Sequence, residues 1–112
     1  GDGDLDLIVA AAKRVHYWEH LGSGELVERV GAGSNPFHDI PDQTSWALPA
    51  LLDWDGDGDL DLVLSDGAGI YSYWAHQAGS IFVRRSNADA NPVHDVSVNF
   101  FASPVWADWD GD

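Results

Sequence analysis

The residues with most scope for chemistry are Asp53-Trp54-Asp55-Gly56-Asp57-Gly58-Asp59-Leu60-Asp61, followed at once by Leu62, Val63 and Leu64. Counting from Asp53, side-chain carboxylates fall at positions one, three and five (Asp53, Asp55, Asp57) and at nine (Asp61), and Asp59 at seven can offer its backbone carbonyl. Hard oxygen donors at this spacing are the set that Ca²⁺ prefers, and Gly58 at position six permits the sharp turn that gathers them. Carboxylates this dense repel one another unless a cation sits among them, and the stretch holds no Lys or Arg to serve. The spacing therefore reads as a calcium loop, against the plainer alternative of a solvated acidic turn.

The elements that must position this loop follow from its flanks. A helix-loop-helix calcium site needs a bidentate Glu at position twelve, and that position is Leu64. After the loop, Leu60, Leu62 and Leu64 alternate with Asp61, Val63 and Ser65, a period of two that predicts a strand.

Sliding the sequence against itself exposes a repeat. Gly1 to Leu7 recurs unchanged at Gly56 to Leu62, and Gly-Asp returns at Gly111-Asp112, a period of 55 residues. Pro49, Asp53 and Trp54 match Pro104, Asp108 and Trp109. In mid-repeat the offset slips to 56, pairing Tyr17-Trp18 with Tyr73-Trp74, His20 with His76, Asn35-Pro36 with Asn91-Pro92, and His38-Asp39 with His94-Asp95. Two units result, 1–55 and 56–112, both cut inside the acidic motif. In the second, strands are predicted over Leu60 to Ser65, Ile70 to His76 and Ile81 to Arg85. A connection then spans Ser86 to Val98, and a fourth strand spans Phe100 to Ala107. The first follows the same plan, with Leu5 to Ala10, Val15 to His20, Glu25 to Val30, a connection from Gly31 to Ser45, and Trp46 to Leu52. No amphipathic helix is convincing.

Composition bounds the remaining possibilities. The 112 residues are 45% hydrophobic and 12% aromatic, enough for a packed core. Of the nineteen acids behind the net charge of -14, eleven lie in the Asp/Gly motifs, where bound cations would partly neutralise them. A basic face is absent, which argues against a nucleic-acid partner, and no apolar run suits membrane insertion. There is no Cys, so disulfides play no part. Met is also absent, from which the chain is expected to be a processed piece or an excerpt.

Four short strands per unit, at a period of about 40 to 55 residues, describe the blade of an all-β propeller. DWDGDGDLDL at Asp53 to Leu62, preceded by Leu48-Pro49-Ala50-Leu51-Leu52, resembles the FG-GAP and VCBS repeats of integrin α-subunit propellers and of secreted microbial and algal proteins. The resemblance covers essentially the whole chain. It implies two four-stranded antiparallel blades and Ca²⁺ held by Asp53, Asp55, Asp57, Asp59 and Asp61. It also implies an extracellular or cell-surface setting and a role in binding or adhesion to a protein or glycan ligand. The literal Phe-Gly and Gly-Ala-Pro strings are absent, which weakens an integrin-type ligand function but not the blade. Structural repeats of an extracellular fibre or coat, and an accessory domain of a secreted enzyme, are the alternatives.

Because a closed propeller needs about four to eight blades, two units leave faces to be covered, by neighbouring blades of a longer chain or by head-to-tail copies. Asp108, Asp110 and Asp112 supply loop positions one, three and five, while Asp2, Asp4 and Asp6 supply five, seven and nine; these are partial metal sites. Gly-Asp occurs in both halves, so simple joining would duplicate it, which favours the longer array.

His38-Asp39 and His94-Asp95 invite an acid/base reading, but a catalytic site is rarely duplicated blade by blade, so loop-fixing hydrogen bonds are expected. Lys13-Arg14 is expected in a solvated turn, and Trp18 and Trp74 in packing. No nucleophile constellation has usable spacing, so the chain is not expected to be an enzyme.

Overall fold

A computed structural model describes residues 3–43, 46–79 and 81–111. Among these the chain is all-β apart from one 3₁₀ turn, Ala88–Ala90, and no helix is long and apolar enough to cross a membrane. Strands β1 (Leu7–Ala11), β2 (Arg14–Leu21) and β3 (Glu25–Arg29) form a three-stranded antiparallel meander. Strands β4 (Leu48–Leu52), β5 (Asp61–Ser65), β6 (Tyr71–Gln77) and β7 (Ile81–Arg85) form a four-stranded one in the order β4-β5-β6-β7. The predicted strands over 5–30 and 60–85 are therefore present, each within two residues of its expected bounds.

Two expectations change. Trp46 to Leu52 was read as the last strand of the first unit, but Leu48–Leu52 is the first strand of the second sheet. It pairs with β5 from Leu48↔Ser65 to Leu52↔Asp61, and the acidic loop closes this hairpin. The sheet thus spans residues 48–85, shifted from the sequence frame of 1–55 and 56–112. Two four-stranded sheets were expected, and among the described residues the first has three strands. β4 is an edge strand, which is why Pro49, lacking an N–H, is tolerated there. The second change is that Phe100 to Ala107 is not a strand. Its counterpart β4 is a strand because β5 follows the loop and pairs with it, and no described segment does this for residues 100–107.

The slip in repeat offset has a local cause. β1 and β2 are joined by a two-residue turn, Ala12-Lys13, with φ of 48° and 75°. In the second sheet Asp66 N donates to Ile70 O and three residues intervene, with Gly69 at φ 80°. Two- and three-residue hairpins with left-handed positions are the common solutions, and they differ by one residue. In both units the returning connection docks on this turn. Gln43 N donates to Lys13 O at 2.7 Å and Val98 N donates to Gly69 O at 3.2 Å. A Cβ on Gly69 would lie 1.9 Å from Val98 O, so only glycine permits the approach.

The main core lies between the sheets. Leu62, Leu64 and Trp74 of the second sheet cluster with Val15 and with Phe37, Ile40 and Ala47 of the connection. On the other face of the second sheet, Val63, Tyr73 and Ala75 are covered by Val93 and the half-buried Trp106. Asn35 and Asn91 shape the two connections alike, accepting from Phe37 N at 2.9 Å and Val93 N at 3.0 Å through their side chains.

Candidate metal centre

The loop between β4 and β5 is organised by its own carboxylates. Asp53 accepts from Gly56 N at 2.8 Å through Oδ1 and from Gly58 N at 3.0 Å through Oδ2. Asp55 Oδ1 accepts from Asp57 N at 3.3 Å, and Asp57 Oδ1 from Asp59 N at 2.9 Å. These Asx-type turns, with left-handed Gly56 (φ 77°) and Gly58 (φ 94°), wind the chain tightly enough to bring alternate side chains together. Asp53, Asp55 and Asp57 each present an oxygen within 4.8 Å of the other two. Two oxygens held at about 2.4 Å by one ion are at most about 4.8 Å apart, so a single cation can bridge the set. All three side chains are exposed. The Asp55 carboxyl is raised above its ordinary 3.8, first by partial loss of hydration, then by repulsion from Asp57, Asp61 and Asp53; the Asp57 N–H that it accepts works the other way.

Asp61 occupies a different environment. It is 1% exposed, and both oxygens are engaged. Oδ1 accepts from His76 N at 2.7 Å, and Oδ2 from the Tyr73 hydroxyl at 2.7 Å and Trp54 N at 3.2 Å. Burial and this bond raise the Tyr73 phenol well above its ordinary 10.0. Asp61 therefore ties the start of the loop to β6. The first unit repeats the clasp: Asp6 accepts from the Tyr17 hydroxyl and from His20 N, each at 2.8 Å. Sequence reasoning placed Asp6 and Asp61 only among the metal positions and missed Tyr17 and Tyr73 as their partners. The signal was available, since Asp6 with Tyr17 and Asp61 with Tyr73 both recur.

Asp59, like the three converging acids, is exposed; its side chain is not among the group whose oxygens converge. Of the partial sites, Asp2 and Asp112 lie outside the described residues. Asp108 begins the same turn as Asp53, accepting from Gly111 N at 2.6 Å, and Gly3 has the φ of 94° seen at Gly58. Among the described residues, Asp4, Asp108 and Asp110 join no group of converging acids. His38 and His94 each pair with the next residue, at 3.1 Å to Asp39 and 2.7 Å to Asp95, an exposed local contact in both connections. Lys13 and Arg14 are exposed, Arg14 pairing with Asp42 at 2.9 Å.

Paired antiparallel meanders, stacked face to face with an acidic loop closing the β4–β5 hairpin, define repeated blades of the β-propeller type. The profile of the FG-GAP-like repeat matches residues 1–64, more than half of the sequence, and the chain belongs to that family. Comparisons with curated proteins and with solved structures give no match.

Proposed function

We propose that the chain is a calcium-stabilised β-propeller repeat module of an extracellular or cell-surface protein, serving binding or adhesion to a protein or glycan ligand, without catalysis of its own. One observation carries the calcium part of this reading: an oxygen of each of Asp53, Asp55 and Asp57 lies within 4.8 Å of the other two, with no cationic side chain in the loop to offset them. Three hard oxygens fit Ca²⁺, with backbone carbonyl and water completing six to eight ligands. Bound to the folded state alone, the ion adds its binding free energy to stability. An exposed site of this kind suits dissociation constants on the order of 10⁻⁴ to 10⁻³ M, useful where calcium is plentiful, outside the cell.

Thermal melts of the wild-type chain and Asp57→Ala, each in calcium and in chelator, test the site. The wild type is expected to melt higher in calcium, and the variant to show no such gap. A wild type indifferent to calcium would sink the proposal. A glycan and protein array probed in calcium then tests the binding role, and an empty array would favour the structural reading.

A further inference from the structure

A solvent-open cleft of about 550 Å³ lies where the first sheet and its returning connection meet the β6–β7 turn of the second. Tyr17, Glu19 and Arg29 form one wall: alternation puts Tyr17 and Glu19 on the same face of β2, and Arg29 on β3 is the cross-strand partner of Tyr17. This face is packed towards the second sheet, since Val15 and Tyr17 belong to the inter-sheet core. Gly79 and Ile81 form the opposite wall, and the connection around Ser34 and Pro36 lines the remainder. Both walls thus belong to sheets present in this chain, so the cleft is not a face left for a neighbouring repeat.

The lining selects for a neutral ligand rich in hydroxyls. Arg29 Nε and Nη2 both reach Glu19 Oε2, at 2.7 and 2.6 Å, which leaves Glu19 Oε1 and Arg29 Nη1 without a partner among the described residues. An acceptor and a donor side by side suit two neighbouring hydroxyls, one donating to the carboxylate and the other accepting from the guanidinium. A free anion would meet Glu19 and Asp39, and a free cation would meet Arg29, so like charge disfavours both. A wholly apolar ligand would strip water from these groups and return no hydrogen bond. The Ser34 hydroxyl, which donates to Val30 O at 2.8 Å, still accepts, while Pro36 and the half-exposed Ile81 offer C–H surface. The volume falls within the roughly 300–1,000 Å³ of small-molecule sites.

The repeat shows which of these groups the blade itself requires. Tyr17, Arg29 and Pro36 have identical equivalents in Tyr73, Arg85 and Pro92. Glu19, by contrast, is replaced by the buried Ala75, and Gly31 to Ser34 by Asn87 to Ala90, which include the 3₁₀ turn. Glu19 and the small residues beside it are therefore additions to the first unit. We propose that this cleft is a saccharide site, in which Glu19 and the Arg29 guanidinium hydrogen-bond adjacent hydroxyls of one neutral pyranose ring. The proposal rests on the glycan half of the binding role and places it on none of the residues of the acidic loop.

Amide chemical shifts of the isotope-labelled 112-residue chain in calcium test it, titrated with the methyl glycosides of glucose, galactose, mannose, fucose and N-acetylglucosamine. Each is taken to about 10 mM, where a ligand of millimolar dissociation constant is largely bound. At least one glycoside is expected to shift the amides of Glu19, Arg29, Ser34 and Gly79 saturably. Glu19→Ala, which reproduces the second unit's side chain at this position, should keep a folded spectrum and bind at least about tenfold more weakly, the loss expected for one charged hydrogen bond. Absence of shifts with every glycoside overturns the proposal, as does a glycoside that the variant binds with wild-type affinity. Tighter binding of methyl glucuronide than of any neutral glycoside overturns it too. A glycan array hit that Glu19→Ala retains would leave the glycan role standing with its site elsewhere, whereas an empty array together with absent shifts would remove both.

Discussion

Asp61→Asn separates the two jobs that acids perform in this loop. The carboxylate is 1% exposed and accepts three hydrogen bonds, two of them at 2.7 Å. An amide in its place keeps one acceptor oxygen. With that oxygen toward His76 N, the new NH₂ can donate to the Tyr73 hydroxyl, but Trp54 N–H faces it as donor against donor. With the amide reversed, His76 N–H is the group left unpaired. Hydrogen bonds to charged acceptors contribute about 1.5–3 kcal/mol each, and a buried donor left unpaired costs about 1–3 kcal/mol. A net loss of about 3 kcal/mol follows. At roughly 4–8 °C per kcal/mol for a domain of about this size, the melting temperature should fall by roughly 12–24 °C. Chelator is the condition that matters, because the loss belongs to the protein's own hydrogen bonds. Asp57→Ala, which removes an exposed acceptor from Asp59 N, should melt within a few degrees of wild type in chelator. If Asp61→Asn also melted with wild type there, the clasp between loop and β6 would contribute nothing, and the reasoning would fail.

Three further outcomes are expected. Lys13→Gly should raise stability by about 1 kcal/mol in chemical denaturation, because Lys13 holds the left-handed φ of 75° that Gly69 adopts freely in the other unit; an unchanged midpoint would show the turn to be unstrained. Leu62→Ala, at a position 0% exposed between the sheets, should cost about 2–5 kcal/mol by the same assay, and a loss below about 1 kcal/mol would mean the inter-sheet core is not packed as described. The raised Tyr73 phenol sets an alkaline limit. A folded value above the ordinary 10.0 gives stability fully present below pH 10 and lost as pH rises toward the folded value. Melts above pH 10 should therefore decline more steeply for wild type than for Tyr73→Phe, and parallel declines would refute this.

Much of the fold was legible because β-strands in a half-buried sheet advertise themselves by alternation, and a repeat shows each signal twice. Strand β5 was readable from Leu62, Val63 and Leu64, and the hairpin turns from Gly69 and Gly79. Less readable was which sheet a strand joins. Leu48–Leu52 lies between two units, and only pairing with β5 settles its allegiance. Residues 100–107 carry nearly the same pattern as 46–52, yet among the described residues no strand pairs with them, and extended structure needs an edge to bond to.

Within the acidic loop, composition and spacing alone marked Asp53, Asp55 and Asp57 as a converging set, because each is positioned by hydrogen bonds to residues two to five places along the chain. Asp61 carries the same side chain and continues the same spacing, and local sequence cannot distinguish it from them. What sets it apart is contact with Tyr73 and His76, twelve and fifteen residues away on the next strand. The sequence by itself determined the repeat, the strands and the local turns, all of them short-range properties. Only the tertiary structure decided which acid is buried and which sheet Leu48–Leu52 joins, because both depend on what another part of the chain brings alongside.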